Sequence, residues 1–364
     1  MQLVKTDLAP RVSPPQQVGL WRKLSAPYFG TPGNAIITVT CLALIVLVLQ
    51  KAFTWLVVDA VFTGDPATCK ASGGACWPFF TSKVRFMVFG FYPYDEQWRP
   101  LAALLLFFAG CGISMGPAFW GRKLLAFWGL TLAALFCLML GGVFGLSYVP
   151  TSKWGGLPLS FMLSFIGLAG AFPLGIVLAL ARASKLPVIR ALAIAFIELV
   201  RGVPLISILF MASVMLPLFM PEGLTIDKLL RAQIAIILFA AAYVAEIVRG
   251  GLQAIPRGQF EASAAMGLHY WQMMRLIVLP QAIKTMIPPL VTLFIGFFQD
   301  TTLVVIVGLL DFLDTIRSAM RDPQWQGIAV LEGYIFAASV YLLFSTIMGV
   351  YSRFLERHFR MGHD

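Results

Sequence analysis

The sequence predicts an all-α membrane protein, and three observations predict it. Of the 364 residues, 59% are hydrophobic and only 12% are charged, against roughly 45–50% and about 25% in a soluble domain. The mean hydropathy is +0.84. Apolar runs long enough to cross a hydrocarbon layer of about 30 Å recur about eight times. This composition excludes a soluble enzyme, a nucleic-acid-binding domain and a disordered chain. The formal net charge of +10 is therefore read first as membrane sidedness, because Lys and Arg concentrate in short cytoplasmic loops.

Taken in order, residues 1–33 form an N-terminal tail in which Pro10, Pro14, Pro15, Pro27 and Pro32 leave no room for a long helix. It is either a tether or a segment resting on the inner leaflet through Leu20, Trp21 and Leu24. Spans are expected near 35–58, 101–119, 124–148, 157–181, 191–219, 231–248, 286–310 and 327–351. The first is too long for a signal-peptide core and is read as retained. Basic residues place both termini in the cytoplasm: Arg122, Lys123, Arg182, Lys185, Arg190, Arg249, Arg257, Arg275 and Lys284 fall in loops on the side of the N-terminal tail. Trp55, Trp98, Trp154 and Trp325 fall at the opposite, outer boundaries, where interfacial aromatics belong.

The outer segment 59–100 is the longest connection. Cys69 and Cys76 bracket CKASGGAC; facing an oxidising compartment they form a disulfide, and otherwise they are two free thiols. Cys41, Cys111 and Cys137 sit in apolar runs as small packing residues.

Chemistry of the bond-breaking kind is missing from the pattern. There is no G-x-x-x-x-G-K-[ST] and no Gly-Lys pair, so this chain has no P-loop ATPase site. His269, His358 and His363 have no ligand spacing around them, which argues against a metal or a histidine-based catalytic centre. Gly112-Ile113-Ser114-Met115-Gly116 has the letters of a nucleophile elbow but lies inside an apolar span, where small residues ease helix packing. No cofactor is expected in this chain.

The informative stretch is 249–284, RGGLQAIPRGQFEASAAMGLHYWQMMRLIVLPQAIK. Its length fits two short helices. Gly267 is placed just beyond the end of the first. The second carries Tyr270, Met274 and Ile277 on one face, with Trp271 and Val278 beside them, and Pro280 is expected to stop it. Such a knob either lies on lipid or docks a soluble partner. Glu198–Arg201 and Glu246–Arg249 are opposite charges at i, i+3, a spacing that lets each pair close locally. Glu246–Arg249 is read as a structural pair near the inner interface; Glu198–Arg201 is split between structure and pathway. Asp300 stands in an apolar run with no basic residue within a turn, among Gln299, Thr301 and Thr302. An intramembrane carboxylate is a functional-site hypothesis by default: it either walls a watery cavity or pairs with Arg201 as a brace. Pro173, Pro204, Pro217, Pro288 and Pro289 are expected to interrupt spans four, five and seven.

One pattern resembles a known family. Glu261, Ala262, Ser263, Gly267, Ile277, Leu279 and Pro280 keep the spacing of the signature of ABC-importer permeases, with Ser263 replacing its second alanine. Ile197–Leu205, Ala242–Gly251 and Gln299–Val304 resemble segments of polar amino-acid permeases of the histidine/glutamine type. The N-terminal extension resembles the longer M-type permease of general L-amino-acid importers.

The resemblance, over roughly residues 157–357, implies a five-helix permease core (149–364) preceded by an accessory three-helix segment (34–148), with 249–284 as the cytoplasmic coupling loop. It implies coupling positions at Glu261, Ala262, Gly267, Tyr270, Trp271, Ile277, Leu279 and Pro280. Glu198, Arg201, Pro204, Gln299, Asp300, Thr301 and Thr302 become the pathway candidates. It also implies two ABC ATPase subunits that bind ATP and Mg, a second permease that is a paralogue or an identical copy, and a periplasmic amino-acid-binding protein, at a bacterial inner membrane. An ion-coupled secondary amino-acid transporter and a non-transporting scaffold are the two rival readings.

Overall fold

The computed structural model describes residues 20–116, 121–223 and 225–360. The tail before Leu20, His363 and the far C-terminus lie outside these, as do the side chains of Leu20, Trp21 and Leu24. The chain separates into two compact units, Met1–Ala75 and Cys76–Asp364.

In the first unit, α1 (Leu20–Phe29) leads into α2 (Pro32–Phe53). Thr31 starts α2 by accepting a hydrogen bond from the Asn34 N–H, and Pro32 takes the first turn, where no donor is lost. No residue of α2 is buried. With the turn that follows it makes a 27-residue apolar rod, Pro32–Val58. A short α3 (Pro66–Ser72), capped by Asp65, completes the unit. Cys41, Cys111 and Cys137 are free.

The second unit is a helix bundle: α4 (Pro78–Phe89), α5 (Trp98–Ser114), α6 (Arg122–Leu140), α7 (Gly156–Arg182), α8 (Pro187–Gly202), α9 (Leu205–Phe210), α10 (Lys228–Gln253), α11 (Arg257–Ala265), α12 (Tyr270–Met273), α13 (Leu279–Asp300), α14 (Phe312–Met320) and α15 (Val330–Arg360). Its core is the α7–α10 pair. Ala240, Ala241 and Ala242 of α10 are fully buried, and a Cβ on Gly175 of α7 would stand 2.6 Å from Val244 of α10. Small residues let these two backbones approach, which is how helices gain packing energy when lipid offers no hydrophobic drive. A second, aromatic core joins the α5–α6 hairpin to α7, α13 and α15. Phe161 of α7 lies 4.9 Å from Phe298 and 4.7 Å from Phe344.

Among the described residues, six helices are long and apolar enough to cross a membrane: Pro32–Val58, Arg122–Leu140, Gly156–Arg182, Lys228–Gln253, Tyr270–Val307 and Val330–His358. With the bent pair Pro187–Gly202 and Leu205–Phe219 counted as one span the number rises to seven, against about eight expected; α5, with 17 residues, is not among them. Expectations at Pro280 and at Pro173, Pro288 and Pro289 are corrected, whereas span five is interrupted at Pro204 as expected: Pro187–Gly202 and Leu205–Phe219 meet at 103°. Val203 is extended, at φ −105° and ψ 134°, the conformation that a following proline imposes on its predecessor. Pro280 does not end a helix: Tyr270–Val307 runs unbroken for 38 residues. The turn before it, Met274–Val278, is a π turn in which the Leu279 N–H reaches the Met274 carbonyl. This wider turn accommodates the proline ring that an α register would clash with. Pro173, Pro288 and Pro289 lie inside α7 and α13 without interrupting them.

One junction fixes the region between the last two spans. Leu310 and Asp311 bridge in parallel to Gly155 and Gly156, and Asp311 caps α14 by accepting from the N–H groups of Leu313 and Asp314. Asp311 is fully buried and accepts a further bond from the Tyr341 hydroxyl at 3.2 Å. Burial pushes its carboxyl up to about 6 despite these bonds, with the neighbouring Asp314 adding to the rise. Between the ordinary value of 3.8 and about 6, the unfolded chain therefore binds fewer protons than the folded one. Stability falls as pH rises through that window. Asp311→Asn should remove this slope, worth on the order of 3 kcal/mol, in thermal unfolding of detergent-solubilised protein at pH 4 to 7. An equal slope in the variant would contradict the assignment.

Candidate functional site

Two arrangements in the second unit carry the charged and polar residues of the spans. The first is an ion network around Glu246 of α10. Its Oε1 receives Arg182 Nη1 of α7 at 2.8 Å, and its Oε2 receives Arg249 Nη2 at 2.7 Å and Arg201 Nη1 of α8 at 3.4 Å. Arg182 also reaches Glu198 Oε1 at 3.0 Å, and Arg249 donates to Gln253 Oε1. The Glu246–Arg249 pair is thus present. Glu198 and Arg201 are not each other's partner, which corrects the local-pair expectation. Arg201 ends α8 immediately before the break at Val203, and the chain path there aims it at α10. Arg182, read in the sequence only as a loop cation, is the residue that ties α7 to both glutamates.

The second arrangement is a cleft of about 350 Å³ between α10 and α13, lined by Tyr243, Ile247, Pro289, Thr292, Gly296 and Asp300 among others. Asp300 ends α13. Among the described residues it has no ion-pair partner, so the expected brace to Arg201 is not formed. Arg201 instead lies with its guanidinium 5.4 Å from the centre of the Tyr243 ring, and Tyr243 is therefore shared by network and cleft. Thr301 is buried and donates to the Phe298 carbonyl at 2.8 Å, which turns it away from the cleft. Gln299 is exposed and Thr302 half-buried.

A larger apolar cavity of about 600 Å³ adjoins it across Phe239 and is walled by α8, α9 and α10. Arg231 is its one cation; it donates to the Ser213 carbonyl, and its Nε has no partner. Sequence reasoning passed over Arg231, although an arginine at the fourth position of an apolar helix was the available signal.

The α10–α13 connection forms a knob. α11 ends with Gly267 in the left-handed region at φ +73°, while the Leu268 N–H bonds the Ser263 carbonyl and the Gly267 N–H the Ala264 carbonyl. Paired bonds of this kind satisfy the last carbonyls of a helix. Glu261 and Ala262 are exposed and Ser263 is buried. Gln281 Nε2 ties the knob to α13 by donating to Gln259 Oε1 at 3.2 Å. The anchoring stripe differs from the expected one. Met274, Val278, Ala282 and Met286 are buried, Ile277 and Leu279 are half-buried, and Pro280 is exposed. Tyr270 is 55% and Trp271 73% exposed, so these rings face outward, edge to face at 5.4 Å. From Met274 onward, residues four apart hold the buried side.

A bundle of apolar spans, with a charge network and an unpaired carboxylate inside it and a polar knob outside, defines a multi-pass membrane protein built around a pathway. Residues 171–361 match the model of the binding-protein-dependent transport system inner membrane component family, and the chain belongs to that family. It is a multi-pass inner-membrane protein, the permease component of an ABC transporter for amino acids, a class that works with ATPase and binding-protein partners. It is 44% identical to the inner membrane amino-acid ABC transporter permease protein YhdY of Escherichia coli K12, with 92% of this chain and 91% of that protein covered. It is 36% identical to the glutamate/glutamine/aspartate/asparagine transport system permease protein BztC of Rhodobacter capsulatus, covering 99% and 98%. A chain from the crystal structure of an amino acid ABC transporter with histidines superposes with a TM-score of 0.51, at 28% identity over 56% of this chain and 92% of that one.

Removing one partner of a desolvated ion network leaves the others uncompensated. Glu246, 14% exposed, is held by three arginines, so Glu246→Gln should cost about 3 kcal/mol. Glu198 is 56% exposed, and Glu198→Gln should cost less than about 1 kcal/mol. Thermal unfolding of both variants in detergent checks this ordering; a larger loss for Glu198→Gln would reverse the hierarchy.

Proposed function

We propose that the chain is a permease subunit of an ABC importer that moves L-amino acids into the cytoplasm. The observation that carries this reading is the pairing, on one continuous helix, of an outward-facing knob and an ion-free Asp300 on a cleft wall. The names of the relatives support the substrate class. In this reading the accessory segment is 34–148 and the core 149–364, with both termini and the knob on the cytoplasmic side.

The knob docks an ABC ATPase through Glu261, Ala262, the Gly267 turn and the exposed rings of Tyr270 and Trp271. Two such ATPases hold ATP and Mg. A second permease, a paralogue or an identical copy, completes the pore, because one chain carries one knob. A periplasmic binding protein delivers substrate to the outer face. Glu198, Arg201, Pro204 and Gln299 border the pathway, and Asp300 offers a carboxylate to an amino acid's ammonium group. ATP-driven closure of the ATPases acts only through contacts that differ between the two states of the pore, which the knobs supply.

Two substitutions test the reading. Gly267→Glu, at a position where any side chain strains the backbone, should abolish ATPase co-purification and uptake while membrane insertion stays normal; full co-purification would refute the docking role. Asp300→Asn should abolish uptake in proteoliposomes holding the whole complex, with assembly intact. Undiminished uptake would remove Asp300 from the pathway. Uptake by this chain alone, driven by an ion gradient, would favour a secondary transporter instead, and normal uptake after its deletion would favour a scaffold.

A further inference from the structure

The connection between α6 and α7 contains a turn that local preference alone does not explain. The Leu146 N–H bonds the Val143 carbonyl at 3.0 Å, which makes Phe144 and Gly145 the two central residues of a β-turn. Both have positive φ, 53° and 75°, as in a type I′ turn, whose central positions favour Gly, Asn or Asp. Phe144 is the one non-glycine residue with positive φ among the described residues. A side chain there costs about 1–2 kcal/mol, and such strain persists only where the surroundings over-determine it.

The surroundings do. Val149 and Leu140 close the base of the loop by a bond of 2.8 Å, and Gly142 bonds Leu146. Arg99, fully buried at the start of α5, donates to the Leu138 carbonyl at 2.7 Å and to the Ser147 carbonyl at 2.9 Å. It also pairs with Glu96 at 3.3 Å, and Glu96 accepts from the Ser147 hydroxyl at 2.7 Å. A buried arginine thus props the loop from beneath, yet the Phe144 side chain at its tip is 94% exposed.

What covers the ring follows from where the tip sits. α6 is an apolar span whose outward face, including Leu130 and Phe136, is uncovered by protein. Val143 and Phe144 are the next exposed large apolar side chains along the chain. Arg99 fixes the start of α5 beside the end of α6, and Trp98 there is 54% exposed; Tyr148, at the loop's far side, is 65% exposed. Exposed aromatics gathered at the end of a helical hairpin are the pattern of a bilayer interface.

We propose that the Val143–Phe144 tip is a lipid anchor, with the strained turn holding the Phe144 ring in the headgroup–acyl boundary at the end of α6. The α5–α6 hairpin thereby sets its depth in the bilayer through a wedge rather than through helix length alone. The backbone strain is offset by transfer of an aromatic ring out of water, and the Arg99 prop keeps the loop from relaxing.

The test uses the full chain with its partner subunits in phospholipid vesicles of phosphatidylcholine and phosphatidylglycerol. The free cysteines Cys41, Cys111 and Cys137 are replaced by alanine, and a nitroxide is attached at Phe144→Cys. The label should collide more often with oxygen than with a water-soluble nickel chelate. A label at the exposed Asp95 should show the reverse. A water-like ratio at position 144 overturns the proposal. So does protection from both collision partners, which would place the tip against protein. A second variant separates anchoring from folding. Phe144→Asn suits the turn and should leave the unfolding midpoint in detergent undiminished, while a label at Val143→Cys moves toward the water-like ratio. An unmoved label would also overturn the proposal.

Discussion

The structure depends most on the carboxylate of Glu246. It is the one acceptor that three arginines from α7, α8 and α10 share, and without it their charges would stand inside an apolar bundle with no common partner. Charge at membrane depth costs about 2.5–3.5 kcal/mol per residue even on insertion scales. Convergence on a single glutamate, with Glu198 taking part of Arg182, lowers that cost while leaving one positive charge over. The network therefore holds the ends of three helices in fixed relation next to the break at Val203 and Pro204. It also determines where Arg201 is not: because Arg201 is held by Glu246 and lies over Tyr243, Asp300 keeps its carboxylate for the cleft.

Much of this was legible in the sequence because it rests on short-range rules. Apolar run length gave the spans, since a helix rises about 1.5 Å per residue against a layer of fixed thickness. Gly267 was readable as a helix end, because few residues tolerate its backbone conformation. Glu246 and Arg249, three residues apart, were readable as a pair. The remainder needed the third dimension. Arg182 and Glu246 are 64 residues apart, and nothing local marks them as partners. Glu198 looks equally ready to pair with Arg201, yet the break at Pro204 points Arg201 elsewhere.

The prolines were only partly legible, because the effect of each depends on the hydrogen-bond register around it: the break at Pro204 was expected, and the continuity at the others was not. Pro204 breaks its helix because Val203 is forced into an extended conformation. Pro280 does not, since a π turn just before it widens the backbone. Pro173, Pro288 and Pro289 are absorbed within long helices, as happens in membrane spans. Tyr270 and Trp271, which the sequence assigned to the anchoring stripe, are exposed instead.

That unbroken helix has a mechanical meaning. Tyr270 at its foot and Asp300 are separated by some 45 Å of continuous rod at 1.5 Å per residue. Tilting such a rod by only about 5° about its foot carries the far carboxylate sideways by about 4 Å, more than the length of a hydrogen bond. On a lever of this length a slight tilt at one end is a displacement at the other that exceeds a hydrogen bond.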